Sequence, residues 1–470
     1  MIFVGNVNYR TYEQDIRELL QAFFPGEELT EEKKAEASFH VDMDELVAES
    51  GKQLSGIRFA DKSLLKELLY DHLSSVIGKK LPWGTLTGIK PVKLAGKILL
   101  QTGSEKHTAK ELQEHYRVSA EKAKLAAELA GREKELMGRL PADRWYSLYA
   151  GIPFCPTRCL YCSFTSNSVT AWSARIDEYI DCVEKELKEL SFHFGILRPA
   201  TVYVGGGTPT ALDAGQLERF LSVLKTYTDM TDTEFTVESG RPDSITPRKL
   251  AVMKSAGVQR ISINPQTMND KTLALIGRRH SADDVFRAFS DARKAGFDNI
   301  NMDLIMGLPG ESIEDVRYTL SRVEELAPDS ITVHTLAVKR AARLSTDHDP
   351  WKDYERAEGD EAARMVRMGQ ESAAEMGMIP YYLYRQKNMA GNQDNTGYAV
   401  PGKECLYNII MMDEKQPVIG IGAGSTTKFG EKRFENVKDI TNYLTRIDEM
   451  IEKRNTFLEI QGCFQGKDLI

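Results

Sequence analysis

The sequence predicts an α/β fold: a partial (β/α)6 barrel of the TIM type, with an N-terminal α+β unit and a C-terminal mixed extension. Three observations predict it. Between residues 141 and 340, six short strand-like runs alternate with amphipathic helical patterns, the order that gives a parallel sheet wrapped by helices. Glycine-rich and polar motifs recur directly after those runs, where such barrels gather their active sites. A break at Pro141–Asp143 separates this stretch from a charged, helix-patterned N-terminal part.

Composition sets the outer bounds. A chain of 470 residues suits two or three domains, read here as 1–140, 141–340 and 341–470. It is 41% hydrophobic and 28% charged, as in ordinary globular proteins. The net charge of −8 argues against a nucleic-acid partner, which wants a basic face. No apolar run approaches the ~20 residues of a membrane span, and the first residues lack the pattern of a signal peptide. The expected location is therefore cytoplasmic. Six cysteines are too few for a disulfide scaffold.

In residues 1–140 the stretch from Met1 reads as a strand, Glu13–Phe24 as an amphipathic helix and Ala37–Met43 as a second strand. Helices follow near Asp61–Ile77 and Lys93–Leu100, then one long helix over about Thr108–Leu136. Met1–Asn6 matches half of an RNA-recognition motif, but the aromatic second half is absent. In the central stretch the strands are Tyr146–Ala150, Thr201–Val204, Glu234–Glu238, Arg260–Asn264, Asn299–Ile305 and Ser330–Leu336. The helices are Ser173–Phe194, Ala214–Tyr227, Pro247–Ala256, Ala282–Ala295 and Ile313–Glu325. The tail reads as a helix over Trp351–Met376, a substrate-facing loop region over Pro380–Gly424 and a helix over Asp439–Lys453.

Three cysteines carry the chemistry. Cys155, Cys159 and Cys162 lie in GIPFCPTRCLYCSF with the spacing C-x3-C-x2-C. Three thiolates this close suit three corners of a [4Fe–4S] cluster, leaving one iron open. Zinc prefers four ligands in paired clusters, and no second pair follows. Cys182, Cys405 and Cys463 are scattered and read as inert thiols. Gly205–Thr210, GGGTPT, follows a strand and lets backbone approach a ligand closely. Glu238, Gln266, Arg278 and Asp303 lie at later strand ends, where a buried carboxylate is costly without a partner and a guanidinium can fork onto a carboxylate. Gly420–Ser425, GIGAGS, imitates a dinucleotide fingerprint without the βαβ unit it needs. It reads as a turn.

Taken in order, YAGIPFC with its two further cysteines, GGGTPT, VES, RISINPQ, IGRRH and NMDLIMGLPGES resemble radical S-adenosylmethionine (SAM) enzymes. Within them they resemble the oxygen-independent coproporphyrinogen III dehydrogenases (oxidases) and the related haem chaperones. The stretch YYLYRQKNMAGNQDNTGYAVPGKECLYN and the N-terminal unit look most like the HemZ-type branch. The resemblance implies a radical SAM barrel and makes Cys155, Cys159 and Cys162 the catalytic cluster ligands. It places Tyr149, Gly205, Gly206, Thr208, Glu238, Gln266, Arg278 and Asp303 around SAM, with Arg278 at the methionine carboxylate. It also implies a tetrapyrrole substrate and an electron donor such as flavodoxin or ferredoxin. A deoxyadenosyl radical would take hydrogen from a propionate, which then loses CO2 and an electron to leave a vinyl group. Arg158, Arg340, Arg385, Lys387 and Lys403 are candidate clamps for the propionates. Two positions depart from the family: Gly151 where a His is common, and Phe164 where the decarboxylases often carry a fourth cysteine. The chaperones' His-Asn…Tyr-Trp element is replaced by NTGYAVPG, with Tyr398 and no His. A haem or porphyrin carrier, or an enzyme acting on another tetrapyrrole, are the alternatives.

Overall fold

The computed structural model describes the chain except for residues 6–11, 26, 31–35, 52–57, 89, 142, 163–166, 338–358, 387–388 and 464–470. The chain separates into two compact units. The first is Met1–Arg132 with Glu358–Ala363 and Leu383–Asp394; the second is Glu133–Ala357 with Arg364–Tyr382 and Asn395–Ile470. The stretch read as a third domain, 341–470, is thus divided between the two.

In the first unit β1 (Ile2–Gly5), β2 (Leu29–Thr30) and β3 (Phe39–Asp42) form a parallel sheet in the order β2-β1-β3. That arrangement differs from the four-stranded sheet of an RNA-recognition motif. Helix Glu13–Phe23 buries Ile16, Leu19, Leu20 and Phe23, a stripe at helical spacing, against Ile2, Val41, Leu65 and Leu69. The long helix expected over Thr108–Leu136 is two helices, Glu105–Tyr116 and Ala120–Met137. Arg117 between them adopts φ 55°, and its guanidinium pairs with Glu67 at 3.1 Å and Asp71 at 2.9 Å. The break is therefore tertiary: the ends of the two helices are set by partners some fifty residues away in sequence.

In the second unit β4 (Ser147–Ile152), β7 (Thr201–Gly206), β8 (Glu234–Gly240), β9 (Arg260–Ile263), β10 (Ile300–Met306) and β11 (Ser330–Thr335) run parallel in that order. Between the first two, β5 (Phe154–Cys155) and β6 (Asn167–Ser168) make a small parallel pair. The helices between strands start where capping chemistry dictates. Asp213 with Gln216, Ser281 with Asp284 and Ser312 with Asp315 form reciprocal caps. Helix Pro247–Ala256 starts after Thr246 and stops at Gly257, φ 89°. These are the six strands and five helices read from the sequence, with ends shifted by a few residues.

The tail extends the same sheet. β12 (Ile379–Tyr384) and β13 (Asn395–Ala399) join beyond β11, with β13 antiparallel to it. On the other side β14 (Val418–Ile421) lies parallel to β4, followed by β15 (Thr426–Phe429) and β16 (Lys432–Glu435). Helix Leu406–Asp413 closes the floor of the barrel: the backbone N–H groups of Leu406 and Tyr407 donate to the Glu234 carboxylate at 2.7 and 3.1 Å, and Glu234 opens β8. Pro380–Gly424 was expected as a substrate-facing loop region. Instead it supplies three strands and this floor. GIGAGS is the turn between β14 and β15, as read, and no helix follows it. The last expected helix is two, Ile440–Thr445 and Ile447–Ile460.

A fully buried ion pair fastens the tail. Arg454 Nη1 lies 2.8 Å from Glu186 Oε1, both residues fully buried. Glu186 also accepts from Gly422 N at 2.7 Å, the Tyr443 hydroxyl at 2.6 Å and Asn436 Nδ2 at 3.0 Å. Removing one partner of such a pair strands the other charge without water. Arg454→Ala is therefore expected to lose about 3–5 kcal/mol in denaturant unfolding. Arg446→Ala, which breaks the solvent-exposed pair with Glu449, is expected to leave the midpoint unchanged. Equal midpoints for the two variants would refute this assignment.

Candidate active site

The site begins where β4 and β7 end side by side, with Gly151 opposite Gly205 and Ile152 opposite Gly206. Beyond the strands the pairing continues. Gly207 N donates to Ile152 O at 2.8 Å and Thr208 N to Phe154 O at 2.7 Å. The glycines are demanded by this approach. A Cβ on Gly207 would sit 2.5 Å from Phe154 O, and one on Gly205 would sit 2.8 Å from Glu238 Oε2. Gly206 adopts φ 113°. The run is expected to offer its backbone to a ligand. Here the N–H groups of Gly206, Gly207 and Thr208 are already engaged by Glu238, Ile152 and Phe154. What GGGT presents toward the cysteines is the Thr208 hydroxyl, 3.5 Å from Cys155 Sγ.

The cysteine loop is tied to the barrel rim. Leu160 N donates to Ile276 O at 3.1 Å, the Thr157 hydroxyl to Gly277 O at 3.2 Å, and Cys162 N to Cys159 O at 3.2 Å. Arg241, just past β8, is held by Asp243 at 2.7 Å and donates to Thr157 O at 3.2 Å. Its Nη1 lies 4.0 Å from Cys159 Sγ. Arg278 approaches the same sulfur at 3.9 Å and donates to the Tyr161 hydroxyl at 3.1 Å and Asn264 O at 2.6 Å. Two guanidiniums thus face one sulfur. Burial pushes the free Cys155 thiol up to about 11, although the Thr208 hydroxyl counteracts it. His280, buried beside Arg278, is driven down to about 3 and stays neutral.

The donor set fits an iron–sulfur cluster. It offers three thiols within one loop, two adjacent cations to offset thiolate charge, and a buried Arg278 Nε without a hydrogen-bond partner to receive an anionic group. Among the described residues no three His, Cys, Asp or Glu side chains converge on a single metal ion. In a cluster each thiolate meets its own iron, so one shared centre is not required.

A second group lies on the inner face of the strands. Tyr149 and Tyr203 stack with ring centroids 6.3 Å apart, and the Tyr203 hydroxyl donates to Glu238 Oε1 at 2.5 Å. Burial pushes Glu238 up to about 7; the Tyr203 hydrogen bond opposes the shift and the Asp303 charge adds to it. Asp303 behaves oppositely. Burial works against its charge, yet hydrogen bonds from His334, Asn301 and Thr332 hold it below the usual carboxylate range. Asn264 Nδ2 adds a bond at 2.7 Å and Asn301 Nδ2 one at 2.8 Å. Gln266 stands in the left-handed region, φ 70°, a strained backbone for a residue with a side chain. It is held there by Gln266 N to Asp303 O at 3.0 Å and Ile305 N to Gln266 O at 2.9 Å.

The eleven residues read as site residues therefore fall into two joined groups. Cys155, Cys159, Cys162, Thr208 and Arg278 form one; Tyr149, Gly205, Gly206, Glu238, Gln266 and Asp303 form the other. The substrate clamps are different. Arg385 is buried in the first unit, bonded to Leu86 O and Asn392 Oδ1 and lying over the Trp83 ring, so it serves that unit's packing. Lys403 pairs with Asp298 at 3.2 Å just before β10, at the end of the barrel opposite the cysteines. Arg158 is exposed within the cysteine loop. Arg340, Lys387 and Phe164 lie outside the described residues. Cys405 is a buried thiol pushed up to about 12 by burial and the Glu234 charge. Sequence reasoning missed Arg241, three residues after Glu238 in VESGRPD, and Tyr407, whose ring lies 4.2 Å from Tyr203. Gly207→Ala should break the β4–β7 continuation and loosen the loop. Iron bound per chain after reconstitution is expected to fall several-fold with far-UV circular dichroism unchanged; full iron retention would refute the constraint.

Comparison with known proteins agrees with this geometry. Residues 149–323 match the Radical SAM superfamily. The chain is 36% identical over 409 residues to the oxygen-independent coproporphyrinogen-III oxidase-like protein HemZ of Bacillus subtilis (strain 168), covering 85% of this chain and 81% of that one. It is 32% identical to the heme chaperone HemW of the same organism, over 64% of this chain and 76% of the relative. The solved coproporphyrinogen III oxidase (HemN) of Escherichia coli superposes with a TM-score of 0.55 at 24% identity, covering 66% of this chain and 70% of that one; this shows the shared fold. The chain belongs to the radical SAM superfamily, in the HemZ-type branch of the coproporphyrinogen-III oxidase-like proteins.

Proposed function

We propose that the protein is a radical SAM oxidoreductase that converts two propionate groups of coproporphyrinogen III to vinyl groups, giving protoporphyrinogen IX without oxygen. The observation that carries the reading is the pairing of an anchored three-cysteine loop with half-buried acceptors on the adjoining strands, in a chain that matches HemZ along most of its length. Cys155, Cys159 and Cys162 would hold a [4Fe–4S] cluster. When bound, the cluster and SAM supply one-electron reductive cleavage and a 5′-deoxyadenosyl radical that takes hydrogen from carbon. The remaining work falls to the chain. Arg241 and Arg278 offset the charge of the thiolates. Arg278 Nε is the donor for a carboxylate. Glu238 and Asp303 are acceptors for an ammonium group and hydroxyls, and the Tyr149–Tyr203 stack keeps water from them. A flavodoxin or ferredoxin is the donor class suited to such a cluster.

The carrier reading has less support. The strand where the chaperones' haem element would lie is β13, buried along its length, and Asn395 there accepts from Thr335 N at 2.9 Å. No His stands in it.

Anaerobic turnover tests the proposal. With reduced, reconstituted protein, SAM and coproporphyrinogen III, we expect 5′-deoxyadenosine and stepwise loss of two CO2 from the tetrapyrrole. Deoxyadenosine without any change in porphyrinogen mass would overturn the substrate assignment. Single changes of Cys155, Cys159 or Cys162 to Ala are expected to abolish the visible absorbance of the cluster and all turnover. A variant with full iron and activity would overturn the cluster assignment.

A further inference from the structure

The helix on the barrel floor reaches the site, and the proposed reaction assigns it no role. Glu234 accepts two backbone N–H groups from the start of helix Leu406–Asp413, at 2.7 and 3.1 Å, and the Cys405 thiol at 3.5 Å. Tyr407, in the first turn, is buried. Its ring stacks on Tyr203 at 4.2 Å and 18° and reaches Tyr149 at 6.2 Å and 21°. Tyr203 in turn holds Glu238. A line of contacts thus runs Glu234, Tyr407, Tyr203, Glu238, from the start of the strands to the rim that carries the cysteines.

We propose that Glu234 and Tyr407 are positioning residues: Glu234 fixes the floor helix, and the Tyr407 ring it presents backs the Tyr203–Glu238 contact, shielding Glu238 on that side and aiming it at the cationic and hydroxyl groups of SAM. The proposal rests on the SAM reading above for its consequence, but not for the geometry. The groups facing Glu238 are Tyr203 from β7, Tyr149 from β4, Arg260 from β9, Asp303 from β10 and Tyr407 from the floor helix. Arg260 is buried and donates to the Ser330 hydroxyl at 3.0 Å. Among these five, Tyr407 comes from outside the parallel strands. Removing its ring opens space beside Glu238 and leaves the strand pairing in place.

Two readouts separate this inference from the cofactor reading. The first needs no SAM: a difference infrared titration of the Glu238 carboxyl, using Glu238→Gln as the blank. Wild type and Tyr407→Phe are expected to titrate near pH 7, in line with the shift that burial produces. Tyr407→Ala is expected to return Glu238 toward about pH 4.3, the ordinary Glu value. The second is anaerobic equilibrium dialysis of SAM. Wild type and Tyr407→Phe should lose about tenfold in affinity from pH 8 to pH 6, the loss of ionised carboxylate expected for a group titrating near neutrality. The Tyr407→Ala profile should be flat. An unchanged infrared midpoint in Tyr407→Ala overturns the inference. A shifted midpoint with no SAM binding in wild type upholds Tyr407's control of Glu238 and sinks the cofactor reading. Should Tyr407→Ala fail to fold, Glu234→Gln carries the test. It frees the helix start, so its midpoint must fall too, and a midpoint still near 7 overturns the inference.

Discussion

A carboxylate and a guanidinium shut away from water, Glu186 and Arg454, hold the second unit's sheet together on the side that carries the cysteines. Glu186 belongs to helix Ile176–Phe194, the first long helix after the cysteine loop. Its two oxygens gather Gly422 from the turn after β14, Asn436, Tyr443 and Arg454. Beside it the Tyr179 hydroxyl donates to Gly151 O at 2.7 Å and accepts from Ala423 N at 3.1 Å. Gly422 fits only because it lacks a side chain: a Cβ there would sit 2.5 Å from that hydroxyl. Desolvating two charges costs several kcal/mol each, so such a pair is weak evidence for stability by itself. Its effect here is on register. Apolar residues would fill the space but would not demand that one turn, one helix and one strand meet at a single pair of oxygens. β14 is thereby set beside β4, and β4 leads directly into Cys155.

From that fixed strand the site follows by short steps. The β4–β7 pairing runs past the strand ends through Gly207 and Thr208, so the backbone before the cysteines belongs to the sheet rather than to a loop. Arg241 and Arg278 then reach Cys159 from two other strand-end segments. The half-buried carboxylates divide their work. Asp303 has enough hydrogen-bond donors to remain charged. Glu238 has fewer, with Asp303 as a neighbouring charge, and sits near the point of neutralisation. One fixed anion beside one anion that waits for a cation is what an ammonium-bearing ligand can exploit without two unpaired charges being buried in its absence.

Much of this was legible in the sequence, and the parts that were not share a cause. The six strands and five barrel helices were readable because β-branched runs and amphipathic stripes are local signals, closed off by caps such as Asp213 and Ser312. The cysteines stand out by their spacing, and Glu238 and Asp303 because carboxylates in apolar strands are costly without partners. The break at Arg117 was not readable, since Glu67 and Asp71, which hold it, are remote in sequence. The glycines of GGGTPT were read as ligand-facing, whereas Phe154 and Glu238 explain their lack of side chains. Arg385 and Lys403 looked like clamps because a lone cation carries no sign of its partner. Helix Leu406–Asp413 looked like loop because its N-terminus is capped by Glu234, some 170 residues earlier, and no local capping residue announces it.

The floor helix also fixes the direction from which a ligand arrives. It fills the end where the strands start, with Tyr407 lying under Tyr203 and Tyr149, Arg260 buried and Glu234 half-buried around it. The acceptors Glu238 and Asp303 lie beyond this layer, on the side of the strands where the cysteine loop stands. A ligand of these acceptors is therefore a neighbour of the cysteines. Among the described residues that the sequence offered as clamps, Lys403 is at the wrong end and Arg385 is spent on the packing of the first unit. Arg158, between Cys155 and Cys159, is exposed on the cysteine side. For the proposed decarboxylation, a carboxylate held there would sit beside the cysteine loop, so the part of the substrate that reacts and the part that is gripped would be close neighbours.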